Sequence, residues 1–389
     1  MIERSQIDYT KELLDYPETI RRCVAIFFYG RSASYLLSSF LDGHPHVLQL
    51  LPTAMQQFFF RLDFGELPSR GSVDSFTEDV TNLMPQLFGT FVGNTRVADR
   101  DRFKAYLARS IRSLRERRVT LEAGVLCSAI HVAHQAALEM PTLTKDPVVV
   151  AQLHVPSDQR FKFARTLYPQ ARFLYSIRNP AQTLNSYFRH HLFTVPHRPF
   201  SYLTRGIVEQ VLATADLPAA ESPATAAGVR FEDLHTRTEP AMRAVAKWIG
   251  IPWAPVLLES TFNGEPWWYD RGDVKFNGAF PDQARAKPTP YLPFLDRLRI
   301  GKVLRGEHAA WGYENAYERL SPLARKLFDR FAFDLPTAME FAALRVQLRE
   351  LLAQFVDERK TIVEFIRHEQ RRREGEAFRV LPVIRPGDG

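Results

Sequence analysis

The sequence predicts an α/β protein with a parallel central sheet flanked by helices. Short apolar runs, typical of strands buried on both faces, alternate with stretches of helical periodicity. The predicted strands are Cys23–Tyr29, Val148–His154, Ala171–Ile177 and Val229–Phe231. Because strands that alternate with helices build parallel sheets with right-handed crossovers, we expect ligands at the carboxyl ends of these strands.

The composition excludes several classes of protein. The chain has 389 residues, of which 45% are hydrophobic and 24% charged, which excludes a fibrous or mostly disordered protein. The net charge of +7 suits an anionic ligand and does not by itself imply nucleic acid. Two cysteines, Cys23 and Cys127, are too few for a disulfide framework or a zinc site, and no Asp/His cluster has metal-ligand spacing. We therefore expect no metal.

The compartment is predicted from the same composition. The first residues are polar and lack the apolar stretch of a signal peptide, and the two cysteines fit a reducing environment. The longest apolar runs fall far short of the ~20 residues needed to span a bilayer. We expect a cytoplasmic protein without a transmembrane segment.

A strand, a loop of small residues and a helix follow one another between Cys23 and Leu41. A helix N-terminus offers unpaired N–H groups and the positive end of the dipole, so an anion fits there. In this loop Ser32 and Ser34 add hydroxyl donors and Arg31 adds a permanent charge. The Walker A pattern is absent. Taken alone, the loop is equally well explained as an ordinary strand–helix turn with a solvated arginine.

A second polar element follows the strand that ends at Ile177. Arg178 leaves the strand at its carboxyl end, Asn179 is a natural N-cap, and Pro180 suits the first helical position. Ser186 lies eight residues after Arg178, inside the helix. Taken alone, the pattern favours an arginine paired with a surface carboxylate. Two separated anion sites on one sheet edge instead indicate a nucleotide with phosphate groups at both ends.

These two elements together resemble those of the cytosolic and Golgi sulfotransferase family, whose members use 3′-phosphoadenylyl sulfate (PAPS) as donor. The family's 5′-phosphosulfate loop reads Pro-Lys/Arg-Ser-Gly-Thr/Ser-Thr, and its 3′-phosphate element reads Arg-Asn/Asp-Pro with a serine eight residues after the arginine. The phrase Leu-Asp-Gly-His-Pro-His-Val at 41–47 is most similar to bacterial small-molecule sulfotransferases. The resemblance implies a P-loop-like sulfotransferase fold and a PAPS site that contains Gly30, Arg31, Ser32, Ala33, Ser34, Tyr35, Arg178 and Ser186.

Weaker similarities concern the adenine. Phe231, in Phe-Glu-Asp-Leu, resembles the aromatic residue of the family's Tyr-Glu-Asp-Leu, which lies near adenine, and Phe262 resembles a later adenine-side segment. Tyr35 replaces a threonine or tryptophan and is a candidate for stacking on adenine. The second 3′-phosphate clamp, Arg-Lys-Gly in the family, has no clean match. The basic candidates are Lys275, Arg285, Lys287 and Lys302, of which we prefer Lys287.

The loop also departs from the family pattern. Ala33 replaces the loop glycine, so the turn must avoid a positive φ or accept strain. Gly30 replaces the proline and could supply the conformational freedom lost at Ala33.

The resemblance implies in-line transfer of a sulfuryl group from PAPS to a hydroxyl of a small molecule, lipid or glycan, with adenosine 3′,5′-bisphosphate (PAP) as product and no metal. Arg31 is expected to stabilise the leaving phosphate. His154 is the preferred base, because Gln-Leu-His-Val-Pro resembles the family's Lys-Thr-His-Leu-Pro, with Gln152 where the lysine would be. His44 and Glu122 remain alternatives.

The chain is predicted to divide into an α/β domain at 1–318 and a helical extension with a loose basic tail at 319–389. Within the extension, apolar residues alternate by four and three, which predicts an intramolecular hairpin or a homodimer contact. Two other functions stay open: a non-catalytic nucleotide-binding protein on the same fold, and a kinase-like phosphoryl transferase, which would need a P-loop lysine that is absent. The alternating positions are Leu344, Leu348, Leu351, Phe355, Glu358, Ile362 and Phe365.

Overall fold

A computed structural model gives the fold of most of the chain. It describes residues 8–28, 34–52, 72–89, 96–142, 144–154, 156–194, 205, 207–213, 216, 221–222, 224–267, 269–271, 274–285, 289–334, 336–346, 352–375 and 378–387. Several predicted site residues lie outside the described residues, namely Gly30, Arg31, Ser32, Ala33 and Lys287.

A five-stranded parallel sheet forms the centre of the protein, in the order β2–β3–β1–β4–β5. The predicted α/β class, with a central parallel sheet flanked by helices, is confirmed. Short antiparallel pairs, β6 with β7 and β8 with β9, follow the sheet in the chain. The strands are β1 Arg22–Phe28, β2 Val47–Gln49, β3 Val148–His154, β4 Arg172–Ile177, β5 Ala226–Arg230, β6 Thr261–Phe262, β7 Glu265–Pro266, β8 Tyr269–Arg271 and β9 Val274–Phe276.

Helices surround the sheet and continue beyond it toward the C-terminus. In chain order they are α1 Thr10–Asp15, α2 Ser34–Leu41, α3 Val73–Leu83, α4 Arg100–Glu116, α5 Ala123–Ala137, α6 Asp158–Leu167, α7 Pro180–Thr194, α8 Ile207–Ala213, α9 Phe231–Thr236, α10 Thr238–Ile249, α11 Pro281–Ala284, α12 Phe294–Val303, α13 Arg305–Trp311, α14 Pro322–Phe331, α15 Ala338–Val346 and α16 Leu352–Glu374.

Alternation along β1 divides the core into two layers. Ala25 and Phe27 point into the larger layer, which includes apolar residues of α4, α5 and α6. Val24 and Ile26 point to the other side, toward α2 and α10. Because every residue from Val24 to Phe27 is buried, the strand reads as one continuous apolar run, as parallel strands covered on both faces do.

The C-terminal segment at 380–384 packs on the sheet, and the basic run at 371–373, which was expected to be loose, belongs to α16. The Gly228 N–H donates to the Pro382 carbonyl at 2.7 Å, and the Ile384 N–H donates to the Gly228 carbonyl at 2.9 Å. The segment therefore lies along β5, and Leu381 is fully buried in the main core. The apolar run Val-Leu-Pro-Val-Ile at 380–384 explains this docking.

At the alternating apolar positions of the extension, the side chains that the structure describes face the interior of the protein. Ile362 is buried, and Phe365 packs against the main core of the same chain. This arrangement fits the intramolecular alternative, and the homodimer stays a prediction. Leu348, Leu351 and the side chains of Leu344, Phe355 and Glu358 lie outside the described part.

Two histidines of α5 are buried as neutral rings. His131 donates through Nδ1 to the Cys127 carbonyl at 2.8 Å, and within the described chain no hydrogen bond reaches its Nε2 or either nitrogen of His134. Burial lowers the pKa of His131 to about 4 and the pKa of His134 to about 3. Protonation of either ring would place an unpaired charge in the core.

We therefore expect the free energy of unfolding to fall as the pH drops from about 6.5 toward 4. The unfolded state binds protons at these histidines before the folded state does, whereas above that range both states are neutral and the contribution is constant. Thermal unfolding of a His134→Leu variant between pH 4 and 8 should show a weaker acid slope than the wild type. The exposed His368→Gln variant serves as control. An unchanged slope in His134→Leu contradicts the assignment.

Candidate functional site

Four strands bring their carboxyl ends to one edge of the sheet. Phe28 of β1 lies opposite His154 of β3, and Ile177 of β4 lies opposite Arg230 of β5. The β1 strand, which leads into residues 29–33, is also paired directly with β4, which leads into Arg178. The two predicted anion-binding elements thus follow adjacent strands at the same edge, where open parallel sheets bind ligands.

The first two turns of α2 are attached to the sheet by two glutamine side chains. Gln152 Nε2 donates to the Ser34 carbonyl at 3.2 Å, and Gln49 Nε2 donates to the Ser38 carbonyl at 3.3 Å. Both glutamines are buried, on β3 and β2. Their bonds fix the helix whose N-terminus carries the positive end of the dipole toward the strand ends. Sequence reasoning noted Gln152 only as a missing lysine.

The guanidinium of Arg178 lies over the ring of Phe231, with its central carbon 4.2 Å from the ring centroid. The His235 ring lies against the same phenylalanine at 4.4 Å, and its Nδ1 accepts the Phe280 N–H at 2.9 Å. Phe231 itself is buried and contacts both side chains. The predicted adenine-side aromatic is therefore also the platform that orients Arg178. His235 was missed in the sequence, although it belongs to the same short helix, α9.

Asn179 caps α7 as the sequence predicts. Its Oδ1 accepts the N–H groups of Ala181 at 3.1 Å and Gln182 at 3.2 Å, and Pro180 opens the helix. Ser186, half-buried, lies two turns into α7. The cap fixes the direction in which α7 leaves the sheet edge, and with it the position of Ser186 relative to Arg178.

A carboxylate ties the ends of β4 and β5 together. Glu232 accepts the Asn179 N–H at 3.3 Å on one oxygen and the Tyr313 hydroxyl at 2.6 Å on the other. Burial and the neighbouring Glu232 charge hold the pKa of Tyr313 well above its ordinary value, so the phenol stays a donor. Glu232 belongs to the Phe-Glu-Asp-Leu motif, in which sequence reasoning used only the aromatic residue.

Aromatic residues form a wall beside α2. Tyr35, half-buried, meets the Trp267 ring edge-to-face at a centroid distance of 6.5 Å. Trp267 Nε1 donates to Ser260 Oγ at 2.7 Å, and that oxygen lies 2.7 Å from Ser39 Oγ. Phe262 is fully enclosed beneath Trp267. Tyr35 is therefore partly accessible beside α2, whereas Phe262 is enclosed within the ring cluster.

His44 lies at the opposite edge of the sheet from the site. Its Nε2 donates to the Pro252 carbonyl at 3.0 Å and its Nδ1 accepts the His46 N–H at 3.1 Å. The same end of α10 binds Arg22, which begins β1, through the Gly250 carbonyl at 2.8 Å. Burial lowers the pKa of His44 to about 4. Both ring nitrogens are hydrogen-bonded at the amino end of the strands, so the structure does not bring His44 to the edge where the predicted anion-binding elements lie.

Glu122 is also far from the site. It is exposed just before α5, whose start touches the last residue of α6: a Cβ on Gly124 would lie 2.0 Å from the Leu167 carbonyl oxygen. Because α6 runs from the carboxyl end of β3 back to the start of β4, Leu167 marks the amino edge of the sheet. The structure therefore does not bring Glu122 to the edge where the predicted anion-binding elements lie. Of the three candidate bases, His154 is the one whose backbone lies at the carboxyl edge of the sheet.

Among the other predicted basic clamps, two are already ion-paired within the chain. Arg285 pairs with Asp282 at 3.1 Å, and Lys302 pairs with Asp329. The backbone of Lys275 lies in β9. A 3′-phosphate contact from Lys287 stays a prediction.

An apolar cavity of about 80 Å³ lies away from this edge, between α7, α8 and the C-terminal helices. Leu184, Val211 and Ile362 contribute to its walls, together with the Asp296–Arg299 ion pair. We assign it no part in transfer, because the Arg299 guanidinium in its lining is already paired with Asp296 and donates to the Ala332 carbonyl. No group of three or more His, Cys, Asp or Glu among the described residues could hold a metal ion. The described helices include none with the length and hydropathy of a membrane span.

The fold is that of an α/β protein in which β1 and β4 end side by side at the carboxyl edge of a parallel sheet. A family model described as "Sulfotransferase family" matches residues 24–255. Since the match covers more than half of the chain, the protein belongs to the sulfotransferase family, whose general reaction is sulfuryl transfer.

A comparison with solved structures finds sulfotransferases and sulfotransferase domains at low sequence identity and low TM-score. The sulfotransferase domain from the curacin biosynthetic pathway is 13% identical, with 82% of this chain and 100% of that chain covered and a TM-score of 0.35. The domain from the Synechococcus PCC 7002 olefin synthase is 11% identical, with 90% and 95% covered and a TM-score of 0.34. Sulfotransferase STF9 from Mycobacterium avium is 12% identical, with 64% and 70% covered and a TM-score of 0.35. A search of curated proteins gives no match.

Proposed function

We propose that the protein transfers the sulfuryl group of PAPS to a hydroxyl of a small-molecule, lipid or glycan acceptor, without a metal. The observation that carries this proposal is the placement of Arg178 and the start of α2 after adjacent parallel strands. Such a pair of anion sites matches the two phosphate-bearing ends of PAPS. The two free, buried thiols fit the reducing cytoplasm, where we place the reaction.

The 5′ end of the donor would bind at the N-terminus of α2. Ser34 is the first residue of that helix, and Gln152 of β3 donates a hydrogen bond to the Ser34 carbonyl. Arg31 and Ser32 precede Ser34 in the sequence and would supply charge and a hydroxyl to the bridging phosphate oxygen. When the S–O bond to that phosphate breaks, the negative charge grows where these donors are expected, which is where electrostatic stabilisation lowers the barrier most.

The 3′-phosphate would bind Arg178, just before α7, and Ser186, two turns into that helix. Phe231 and His235 support the guanidinium of Arg178 from one side, and the Asn179 cap orients the helix that carries Ser186. A guanidinium held in this way loses little freedom on binding, so more of its interaction energy appears as affinity.

His154 would accept the acceptor's proton. Its backbone lies opposite Phe28, the last described residue before the phosphate loop. The acceptor oxygen forms the new S–O bond as the phosphate leaves in line, and its proton passes to the imidazole. The products are the sulfate ester and PAP, and the histidine later returns its proton to water.

We expect Arg178→Ala to weaken PAP binding by about 1.5–3 kcal/mol, the loss typical of a hydrogen-bond partner that carries a charge. Isothermal titration in a metal-free buffer measures this directly. Arg172→Ala is the matched control, because Arg172 begins the same strand at the opposite edge, where it lies over Trp248. Equal affinity in wild type and Arg178→Ala would remove the residue from the site.

The non-catalytic alternative has one observation in its favour. Gln152, which stands where the resemblance would place a lysine, is neutral and already bonded to the Ser34 carbonyl. Turnover of labelled PAPS against a library of hydroxyl compounds separates the two functions. Sulfated product supports the enzyme, whereas tight PAP binding with no product from any acceptor supports the binding protein.

A further inference from the structure

Large apolar side chains are exposed together on the C-terminal helices. On α14, Leu323, Leu327 and Phe331 recur every four residues, and Leu323 is 78% exposed. The helix is anchored by another side, where Phe328 is buried against Tyr317. The three exposed residues therefore form a stripe of about 12 Å along one side of a fixed helix.

More exposed apolar residues lie on the helices next to α14. Phe294 and Leu295 begin α12, and Phe341 lies on α15. Arg299 of α12 donates to the Ala332 carbonyl just after α14, and Asp296 accepts the Ala338 N–H at 2.9 Å. These bonds hold the three helices side by side. Several exposed apolar side chains on neighbouring helices mark a surface that another molecule or a membrane covers.

Cations without a counter-ion accompany the stripe. Lys326 and Arg330 lie on the same side of α14 as Leu323, and Arg297 is exposed on α12. None of the three has an ion pair among the residues that the structure describes. The nearby acidic residues are already used, Asp329 by Lys302 and Asp334 by Arg367. The surface therefore presents apolar groups and uncompensated positive charge together.

We propose that this face, defined by Leu323, Lys326, Leu327, Arg330 and Phe331 and called the α14 face, docks on an anionic lipid bilayer. A second copy of the chain would place like charges against one another across a two-fold axis, which disfavours a homodimer here. Apolar side chains that project from a helix need no matching groove if they insert at the headgroup boundary of a bilayer. The lysine and the arginine of the same face then contact anionic headgroups. The contact is peripheral and independent of the sulfuryl transfer proposed above.

Flotation with phospholipid vesicles tests this docking on the full-length protein. We expect wild type to bind phosphatidylcholine vesicles that contain about 30% phosphatidylglycerol and to bind pure phosphatidylcholine several-fold less. Leu323→Gln with Leu327→Gln should lower binding at least about tenfold, since two apolar side chains that would insert into the bilayer are lost. Lys326→Gln with Arg330→Gln should lower binding to the anionic vesicles and weaken its dependence on salt. Both pairs of positions are exposed, so the fold should persist.

The control removes exposed apolar residues elsewhere: Val97→Gln with Leu258→Gln should bind vesicles like wild type. PAP affinity should be the same in all variants, which separates this proposal from the proposed function. The proposal fails if wild type does not float with anionic vesicles, or if the Leu323→Gln, Leu327→Gln variant floats as well as wild type. It also fails if wild type is a dimer in analytical ultracentrifugation and this variant a monomer, because the face is then a self-interface.

Discussion

Replacement of His154 by alanine is expected to lower turnover by about 10²–10⁴-fold, the contribution typical of a positioned general base. PAP affinity should stay within twofold of wild type, because the proposed phosphate contacts come from α2 and from Arg178. The expectation rests on position: His154 ends β3 opposite Phe28, while the other two candidate bases lie at the far edge of the sheet. Single-turnover kinetics with saturating PAPS measure the chemical step.

Glu122→Ala is the matched control for this experiment. Glu122 is exposed before α5 at the amino edge, so its removal should leave turnover unchanged. A histidine base also predicts that the rate of the chemical step falls on the acid side of neutrality in wild type, and that this acid limb disappears in His154→Ala. Full turnover in His154→Ala, with the acid limb intact, would assign the proton to another group.

Replacement of Arg373 by alanine is expected to lower the free energy of unfolding by about 3–5 kcal/mol. This is the typical effect of removing one partner of a buried ion pair. The Arg373 guanidinium is 4% exposed and pairs with Glu307 and, at 2.7 Å, with Asp216. It also donates to the Leu212 carbonyl at 3.0 Å. In Arg373→Ala, Glu307 would stay buried, 1% exposed, without its counter-ion. Urea unfolding of variant and wild type measures the difference.

The Arg243→Ala variant provides the comparison for an exposed pair. Arg243 pairs with Glu239 at 2.8 Å on the surface of α10, and such pairs contribute about 0–1 kcal/mol. A loss of that small size in Arg373→Ala would show that the C-terminal helices are not anchored by this ion pair. A large loss would mean that the proposed division at residue 318 does not separate two independently stable units.

Local patterns were enough to predict the centre of the fold. The apolar runs that became β1, β3 and β4 are continuous because parallel strands are covered on both faces, and Asn179 and Pro180 mark the start of α7 by their own chemistry. The strand β2 was missed because it has only three residues and follows a turn. The sequence placed β5 at Val229–Phe231, whereas it begins at Ala226, since Gly228 and two alanines have little strand propensity of their own.

The support of the site depended on contacts that are distant in the sequence. His235 beside Phe231, Tyr313 on Glu232, and Gln152 on Ser34 are contacts across packed elements, so no local spacing reports them. The basic stretches at 371–373 and 385–389 led to the prediction of a loose tail, while the apolar residues between them, at 380–384, pack along β5. The contrast between His44 and His154 likewise required the sheet order, because both follow turn or strand signals in the sequence.

The central claim is that one nucleotide is held by two phosphate sites, Arg31 at one end and Arg178 at the other. Calorimetry of wild type, Arg31→Ala and Arg178→Ala with PAP, adenosine 5′-monophosphate and adenosine 3′-monophosphate tests it most directly. Wild type should bind PAP more tightly than either monophosphate. Arg178→Ala should lose only the preference for PAP over the 5′-monophosphate, and Arg31→Ala only the preference over the 3′-monophosphate. If either variant keeps both preferences, the two arginines do not grip the two ends of a common ligand.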